Sequence, residues 1–442
     1  MSSGEKKPEA SRSGQIRWKS ISKKRPEACD LLFDVFFIVK YHKLGITMEL
    51  PEIIQREIAT RRADILDLSR RIHADPELAF QEVRTSRLLQ SVLSAEGFTV
   101  SQATGSLPTS FRAVHKLSAD RPRVTFTAEM DALPGLGHAC GHNIIAAAGT
   151  YAAVVLKSVI GSEVGGTIEV LGTPAEERGS GKVRMIQDGV FENSDVVLQI
   201  HPHTLDTVVG QALARRTLTV EYFGKKAHAA AAPREGINAL DALVHFYYSA
   251  ALPRTKIPAG CLFHGIIEEG GLAPNIIPDY SRGRFSLRAN TMPKLERLFE
   301  QVTALAQAAA AATGCRCQVT EPGPDVTTFR RNSALEDLFA GLFEDRGRPN
   351  PRKTRESYGS TDLANVSQVV PTIESLVKAS DFPIHTEEFA RDAVGASGER
   401  ALLDGVFFLA CGGSRILTEP RLLDRIHRAF LENANAAPGA AE

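Results

Sequence analysis

The sequence predicts an α/β protein in which a mixed-sheet domain is interrupted by a smaller β-α-β-β-α-β unit. Two observations lead there. Apolar, β-rich runs at residues 124–128, 167–171 and 195–200 each end in possible ligand side chains: the stretch from Asp131 to His142, then Glu176-Glu177, then His201. Open α/β sheets place their chemistry at strand ends of this kind. After Ala214 the pattern changes to a strand at 218–223, a helix at 238–251, strands at 261–268 and 282–288, an alanine-rich helix at 294–312 and a strand at 315–320. That order is a ferredoxin-like unit. The α/β pattern resumes near Thr328, so the expected division is a main domain over 48–214 and 327–442 with 215–326 inserted into it.

Size and composition agree with this reading. A chain of 442 residues is long for one hydrophobic core. Its 52 basic and 52 acidic residues leave a formal net charge of zero, which gives no reason to expect nucleic acid or an anionic membrane as a partner. Six scattered cysteines (Cys29, Cys140, Cys261, Cys315, Cys317 and Cys411) are too sparse for a disulfide scaffold and point to reduced thiols in the cytoplasm. The apolar run 31–39 is interrupted by Asp34, and it falls well short of the roughly 20 residues a membrane span requires. Glu5, Glu9 and Glu27 argue against a transit peptide. Residues 1–47 read as a dispensable extension, and Met48 opens a clean amphipathic pattern.

In chain order, Ile58, Ile65, Leu68 and Ile72 recur at helical spacing and predict one long helix, ended by Asp75-Pro76-Glu77. Leu88, Leu89, Val92 and Leu93 mark a second helix. Residues 98–100 predict a short strand and 104–110 a loop, while 144–159, nearly all Ala, Ile, Val and Leu, predict a buried helix. Pro371-Thr372-Ile373-Glu374 returns to the sheet before a helical C-terminal region.

Cys140 and His142 flank a glycine that lets both side chains turn toward one point, and thiolate with imidazole suits zinc or another borderline metal. A Gly-rich turn with incidental His and Cys is the lesser alternative for this stretch taken alone. Adjacent Glu176 and Glu177, if buried, would repel unless a cation or a shared proton offsets them; a solvated loop tip is the plain alternative. His201 and His385 would be ordinary residues in isolation, and their recurrence at successive strand ends is what marks them. Cys315 and Cys317 share a strand face, but no second pair completes a site there, and Gly270-Gly271 lacks the strand-to-helix setting of a phosphate loop.

Met130-Asp131-Ala132-Leu133-Pro134 with His138-Ala139-Cys140-Gly141-His142, then Pro174-Ala175-Glu176-Glu177, then Ala227-His228-Ala229, resemble the aminoacylase and carboxypeptidase family of co-catalytic metallopeptidases, in its amidohydrolase branch. The resemblance runs from about Glu52 to the end of the chain. It implies a zinc-peptidase-like catalytic domain carrying the inserted unit as a lid. It further implies two divalent metal ions held by Cys140, His142, Glu177, His201 and His385, zinc first, with manganese, nickel or cobalt as alternatives. Glu176 would be the general base, and Asp131 would fix a metal-bound imidazole. His228 would reach from the lid into a neighbouring subunit's site to stabilise the oxyanion, which implies a homodimer. Asn275 would bind the oxyanion or the substrate carboxylate. Arg288 would clamp that carboxylate or be a surface strand arginine, and Gly359-Ser360-Thr361-Asp362 would be a substrate-side loop.

Many members of the branch have Asp in the places of Asn143 and Glu129 and Gln in the place of Thr173, yet every implied ligand and the base remain here. The run from Ala128 to Gly135 with Cys140-Gly141-His142-Asn143 is most similar to the β-alanyl-lysine dipeptidase and aminobenzoyl-glutamate hydrolase sub-branch. The activity this implies is cleavage of a small N-acyl amino acid or dipeptide-like amide. The alternatives are a tailoring amidase for one acylated metabolite and a non-catalytic metal-binding relative.

Overall fold

The β-rich runs pair into two sheets in the computed structural model, which describes residues 49–161, 163–251, 259–349, 351–354 and 359–435. The first sheet contains β1 (Thr99–Gln102), β2 (Phe111–Lys116), β3 (Arg123–Glu129), β4 (Thr167–Thr173), β5 (Val196–His203) and β12 (Thr372–Lys378). Their order across the sheet is β1-β2-β4-β3-β5-β12. The pairs β1–β2 and β2–β4 are antiparallel, while β4–β3, β3–β5 and β5–β12 are parallel. The four parallel strands therefore present their carboxyl ends at one edge.

Two helices supply the core beside this sheet. Helix His142–Val159 is buried over nearly its whole length, because Ala, Ile and Val leave it no polar face. It lies so close to β3 that a Cβ on Gly149 would stand 2.3 Å from the Thr127 carbonyl oxygen. Helix Ala396–Thr418 packs against it. By length and composition that second helix could cross a membrane, but 83% of its most apolar stretch is buried inside the protein, as befits a central core helix.

The second sheet contains β6 (Ala214–Phe223), β8 (Cys261–Glu269), β10 (Tyr280–Ala289) and β11 (Arg316–Thr320), in the order β11-β6-β10-β8 and antiparallel throughout. Alternate residues of β6 are buried, as expected for a sheet with one covered face. Leu218, Val220 and Tyr222 pack there with Phe246 of helix Ala239–Ala251, Phe285, and Leu298 and Val302 of helix Met292–Thr313. This is the ferredoxin-like unit. Its strands interrupt those of the first sheet in the chain, and Arg215 and Val326 exchange backbone hydrogen bonds of 2.9 and 3.0 Å where the chain leaves and returns.

Three details differ from the sequence reading. The single long first helix is two, Leu50–Thr60 and Arg62–Ala74, divided at Arg61, whose guanidinium binds Glu57 and Glu96 at 2.6 Å each. Strand β2 was not expected, because Arg112, His115 and Lys116 disguise a run in which Phe111 and Ala113 face inward. A two-residue ladder of β7 (Ala227–His228) and β9 (Ile276–Ile277) is too short to leave a periodic signal. The expected extension, residues 1–47, lies outside the described residues.

Candidate metal centre

Each parallel strand delivers part of one cluster. The chain leaves β3 through Asp131 and re-enters helical structure at His142, with Gly141 between Cys140 and His142 at φ 82°. A Cβ on Gly141 would stand 2.4 Å from Pro202, so only glycine lets the Cys140 and His201 segments meet. After β4, Ala175 adopts φ 61°, a conformation that costs a non-glycine residue energy unless its surroundings hold it. Two buried carboxylates do so. Glu82 accepts from the Ala175 N–H at 2.8 Å, and Asp131 accepts from the Glu176 and Glu177 N–H groups at 3.1 and 2.9 Å. Beyond β12, His385 sits at φ 68° and donates its N–H to the Ala139 carbonyl at 2.8 Å.

The result is three overlapping donor groups, Cys140/His142/His201, Cys140/Glu177/His385 and His142/Glu176/Glu177, each with its ligand atoms within 4.8 Å of one another. Cys140 Sγ is 3.7 Å from His201 Nε2, His385 Nε2 is 3.4 Å from Glu177 Oε1, and His142 Nε2 is 3.9 Å from Glu177 Oε1. Tetrahedral coordination at ligand distances of about 2.0–2.3 Å sets neighbouring donors roughly 3.3–3.8 Å apart, close to these spacings.

Proton bookkeeping points the same way. His142 Nδ1 lies 2.8 Å from the Asp131 carbonyl oxygen, and His201 Nδ1 lies 2.7 Å from that of Pro202. A carbonyl only accepts, so both rings donate from Nδ1 and leave Nε2 as the atom available to a metal ion. His142 Nε2 and Glu177 Oε1 are buried without a hydrogen bond. Acceptors converging on one space need a cation between them. The donor set therefore fits divalent metal ions.

Electrostatics mark the carboxylates apart. Burial, then the Glu177 charge, pushes the Glu176 carboxyl well above the usual range. Against the cost of burial, His385 and His142 hold Glu177 down at about 2. Burial and Glu177 likewise raise the Cys140 thiol, an effect that a bound cation reverses.

The other expected site residues lie elsewhere. His228 is exposed on the lid, where its Nδ1 accepts from the N–H groups of Ala230 and Ala231 at 3.2 and 3.1 Å, leaving Nε2 as the outward donor. Asn275 is exposed beside it, its carbonyl accepting from the Ala229 N–H at 3.0 Å. Among the described residues, no hydrogen bond or ion pair joins either to the cluster. Arg288, half-buried on β10, donates to Ser360 Oγ at 3.4 Å. Burial and Arg215, its cross-strand neighbour, lower its pKa, while Glu176 raises it. Arg288 thus lies within electrostatic reach of Glu176.

The sequence matches peptidase family M20/M25/M40 over residues 125–404. The chain belongs to that family. It is 36% identical over 398 residues to a mouse Xaa-Arg dipeptidase, covering 86% of this chain and 92% of the relative. It is 28% identical over 349 residues to one of the subunits of the p-aminobenzoyl-glutamate hydrolase of Escherichia coli, covering 74% of this chain and 70% of that one. Its fold is similar to a crystal structure of a dinuclear metal-binding M20 peptidase of Bacillus subtilis, with TM-score 0.63, 19% identity, and coverage of 81% of this chain and 99% of the other. This M20 protein is accordingly a hydrolase, of the metal-dependent amidohydrolase and dipeptidase kind.

Sequence reasoning missed the residues that brace the M20 centre from beneath. Glu82 is fully buried and its carboxyl is pushed to about 7 by burial. Lys182, also fully buried, binds Asp362 at 2.6 Å and Glu129 at 2.7 Å. Glu82, five residues after Glu77, reads as part of an ordinary helix start. Lys182 has no sequence signal beyond its place after a Gly-Ser-Gly turn.

Proposed function

We propose that this chain is a dipeptidase for small Xaa-Arg or β-alanyl-lysine-like amides bearing a free carboxylate, working with two divalent ions, zinc first. Cys140, His142, Glu177, His201 and His385 would hold the ions, the thiolate favouring zinc. Such ions polarise an amide carbonyl and make water a nucleophile at neutral pH. The identity to the mouse Xaa-Arg dipeptidase, spread over 92% of that protein, supports the substrate class.

The observation that carries the mechanism is Glu176, a carboxyl that shares the donor cluster while its neighbour Glu177 takes the ion pair with His385. Its raised proton affinity suits a group that takes a proton from attacking water and delivers it to the leaving amine nitrogen. Asp131 fixes the Glu176 backbone and the His142 ring, so base and ligand stay in register. Arg288 and Arg215 are adjacent, and neither has a carboxylate within ion-pair reach among the described residues, which suits them to a substrate carboxylate.

His228, with Nε2–H directed outward, would donate to the oxyanion in a partner subunit's site, and Asn275 beside it would bind the oxyanion or the substrate carboxylate. A homodimer through the lid is favoured by β8, an edge strand, and by exposed Val244, Tyr248, Leu262, Ile266, Ile267 and Leu272 around it. A cytoplasmic location belongs to the same proposal; the five cysteines among the described residues are unpaired.

Glu176→Gln tests the assignment. The variant should keep its metal content and thermal midpoint and lose turnover of β-alanyl-lysine and Xaa-Arg dipeptides by about 10²–10⁴-fold. Turnover near the wild-type rate would remove Glu176 from the proton transfer. Metal-dependent cleavage confined to aminobenzoyl-glutamate or N-acetyl amino acids would reassign the substrate.

A further inference from the structure

Lys182 is fully buried at the start of the short helix Gly181–Gln187 and has no part in the mechanism above. It binds one carboxylate twice. Its backbone N–H donates to Asp362 Oδ2 at 2.8 Å, and its Nζ donates to Asp362 Oδ1 at 2.6 Å. Nζ also binds Glu129, the last residue of β3, at 2.7 Å. Two residues before Lys182 and two before Asp362 stands a serine, and each serine holds one arginine of the lid. Ser180 Oγ accepts from Arg215 at 3.3 Å, and Ser360 Oγ accepts from Arg288 at 3.4 Å. Those arginines are cross-strand neighbours on β6 and β10.

We infer that Lys182 and Asp362 form a positioning clip, which sets the lid's Arg215–Arg288 pair relative to the Glu176-Glu177 turn and so governs recognition of the substrate carboxylate. The inference rests on the carboxylate role proposed above for those arginines. Each half of the clip is tied to one of the parts it aligns. On the Lys182 side, the Gly181 N–H donates to the carbonyl of Ala175, the residue before Glu176, at 3.1 Å. On the Asp362 side, the Gly359 carbonyl accepts from the Leu213 N–H at 2.8 Å, where the chain enters the lid. The Asn365 side chain accepts from the Thr327 N–H and donates to the Asp325 carbonyl, both at 3.1 Å, where the chain returns. A role as counter-ion alone leaves two features unexplained. Neutralising Asp362 needs only the ammonium, yet the backbone N–H of the same residue takes the second oxygen, which fixes the carboxylate's direction as well as its charge. Arg215 and Arg288, moreover, are like charges set opposite each other, a destabilising arrangement. Their serine partners are neutral hydroxyls, which orient the guanidinium groups and leave the charge free for an anionic ligand.

The test uses the full-length, zinc-loaded protein with β-alanyl-lysine and the same dipeptide capped as its C-terminal amide. The readout is the ratio of kcat/KM for the free acid to that for the amide, with metal content and thermal midpoint measured on the same preparation. Ser180→Ala and Ser360→Ala should each lower the ratio about two- to tenfold, the worth of one net hydrogen bond, through KM for the free acid. Lys182→Met should lower it further, by up to about 100-fold, the cost of misplacing a binding group by about an ångström. Equal losses on both substrates in folded variants would make the clip structural only and overturn the inference. Lys182→Met strands two buried carboxylates, a change that can prevent folding; in that event the serine variants decide, and a wild-type ratio in both overturns the inference. Wild-type protein that cleaves neither substrate, or shows no preference for the free acid, would instead overturn the carboxylate-bearing dipeptide reading, and the inference with it.

Discussion

Asp131 and His228 both have a part in the proposed mechanism, and the molecule holds them in opposite ways. Asp131 is buried, accepts two backbone N–H groups and contacts the His142 ring at 3.2 Å. His228 is exposed on a two-residue ladder, and its ring is tied only to the turn that follows it. Residues at the sheet edge are thus fixed by the same bonds that hold the fold together. Residues of the lid are set by local turns, and their distance to the chemistry depends on where the lid, or a partner's lid, stands. Damage at the sheet edge should move stability, metal content and rate together. Damage on the lid should move rate alone.

Asp131→Ala should have the largest effect. It leaves the Glu176 and Glu177 N–H groups without acceptors, at a cost of about 1–3 kcal/mol each, and frees the His142 ring. Metal affinity should fall about 10–100-fold, the thermal midpoint should drop, and turnover should disappear with the metal. Calorimetry and elemental analysis on one preparation check all three. An Asp131→Ala protein with full metal content and an unmoved midpoint would break the comparison on its buried side.

His228→Ala should come next. Loss of one oxyanion donor costs about 10²–10³ in kcat, with metal content and thermal midpoint unchanged. The proposed partner contribution sharpens the test. Mixed dimers of inactive His228→Ala and inactive Glu176→Gln would contain one site with both functional groups, so about half the wild-type activity per such dimer should return. No recovery in verified mixed dimers would place His228 at its own subunit's site or outside catalysis.

The same contrast explains what the sequence disclosed. The cluster was legible because its donors recur at the ends of strands whose apolar runs are unmistakable: Asp131 and the Cys140/His142 pair after β3, Glu176-Glu177 after β4, His201 in β5. Their supports were not. Glu82 and Lys182 act through tertiary contacts with Ala175, Glu129 and Asp362, far off in sequence, and their local patterns are those of a helix start and a turn. Glu129 stood out only as a departure from the usual Asp, with no hint that it would receive the buried ammonium of Lys182. Strand β2 was hidden by its polar residues, and the break at Arg61 by helical periodicity that continues through it.

Asn275→Ala should have the smallest effect. Its side chain is exposed and its neighbour His228 remains, so removing the amide takes away one neutral hydrogen bond to substrate or oxyanion. A bond of that kind is worth about 0.5–1.5 kcal/mol, roughly a two- to tenfold loss in kcat/KM. If Asn275 contacts the substrate carboxylate, the loss lies in KM and vanishes for an amide-capped substrate that has no carboxylate. If it contacts the oxyanion, the loss lies in kcat and persists for the capped substrate, because that charge develops only as the tetrahedral centre forms. A shift in thermal midpoint or metal content would contradict the comparison itself, since it would mean that this lid residue, like Asp131, is part of what holds the centre together.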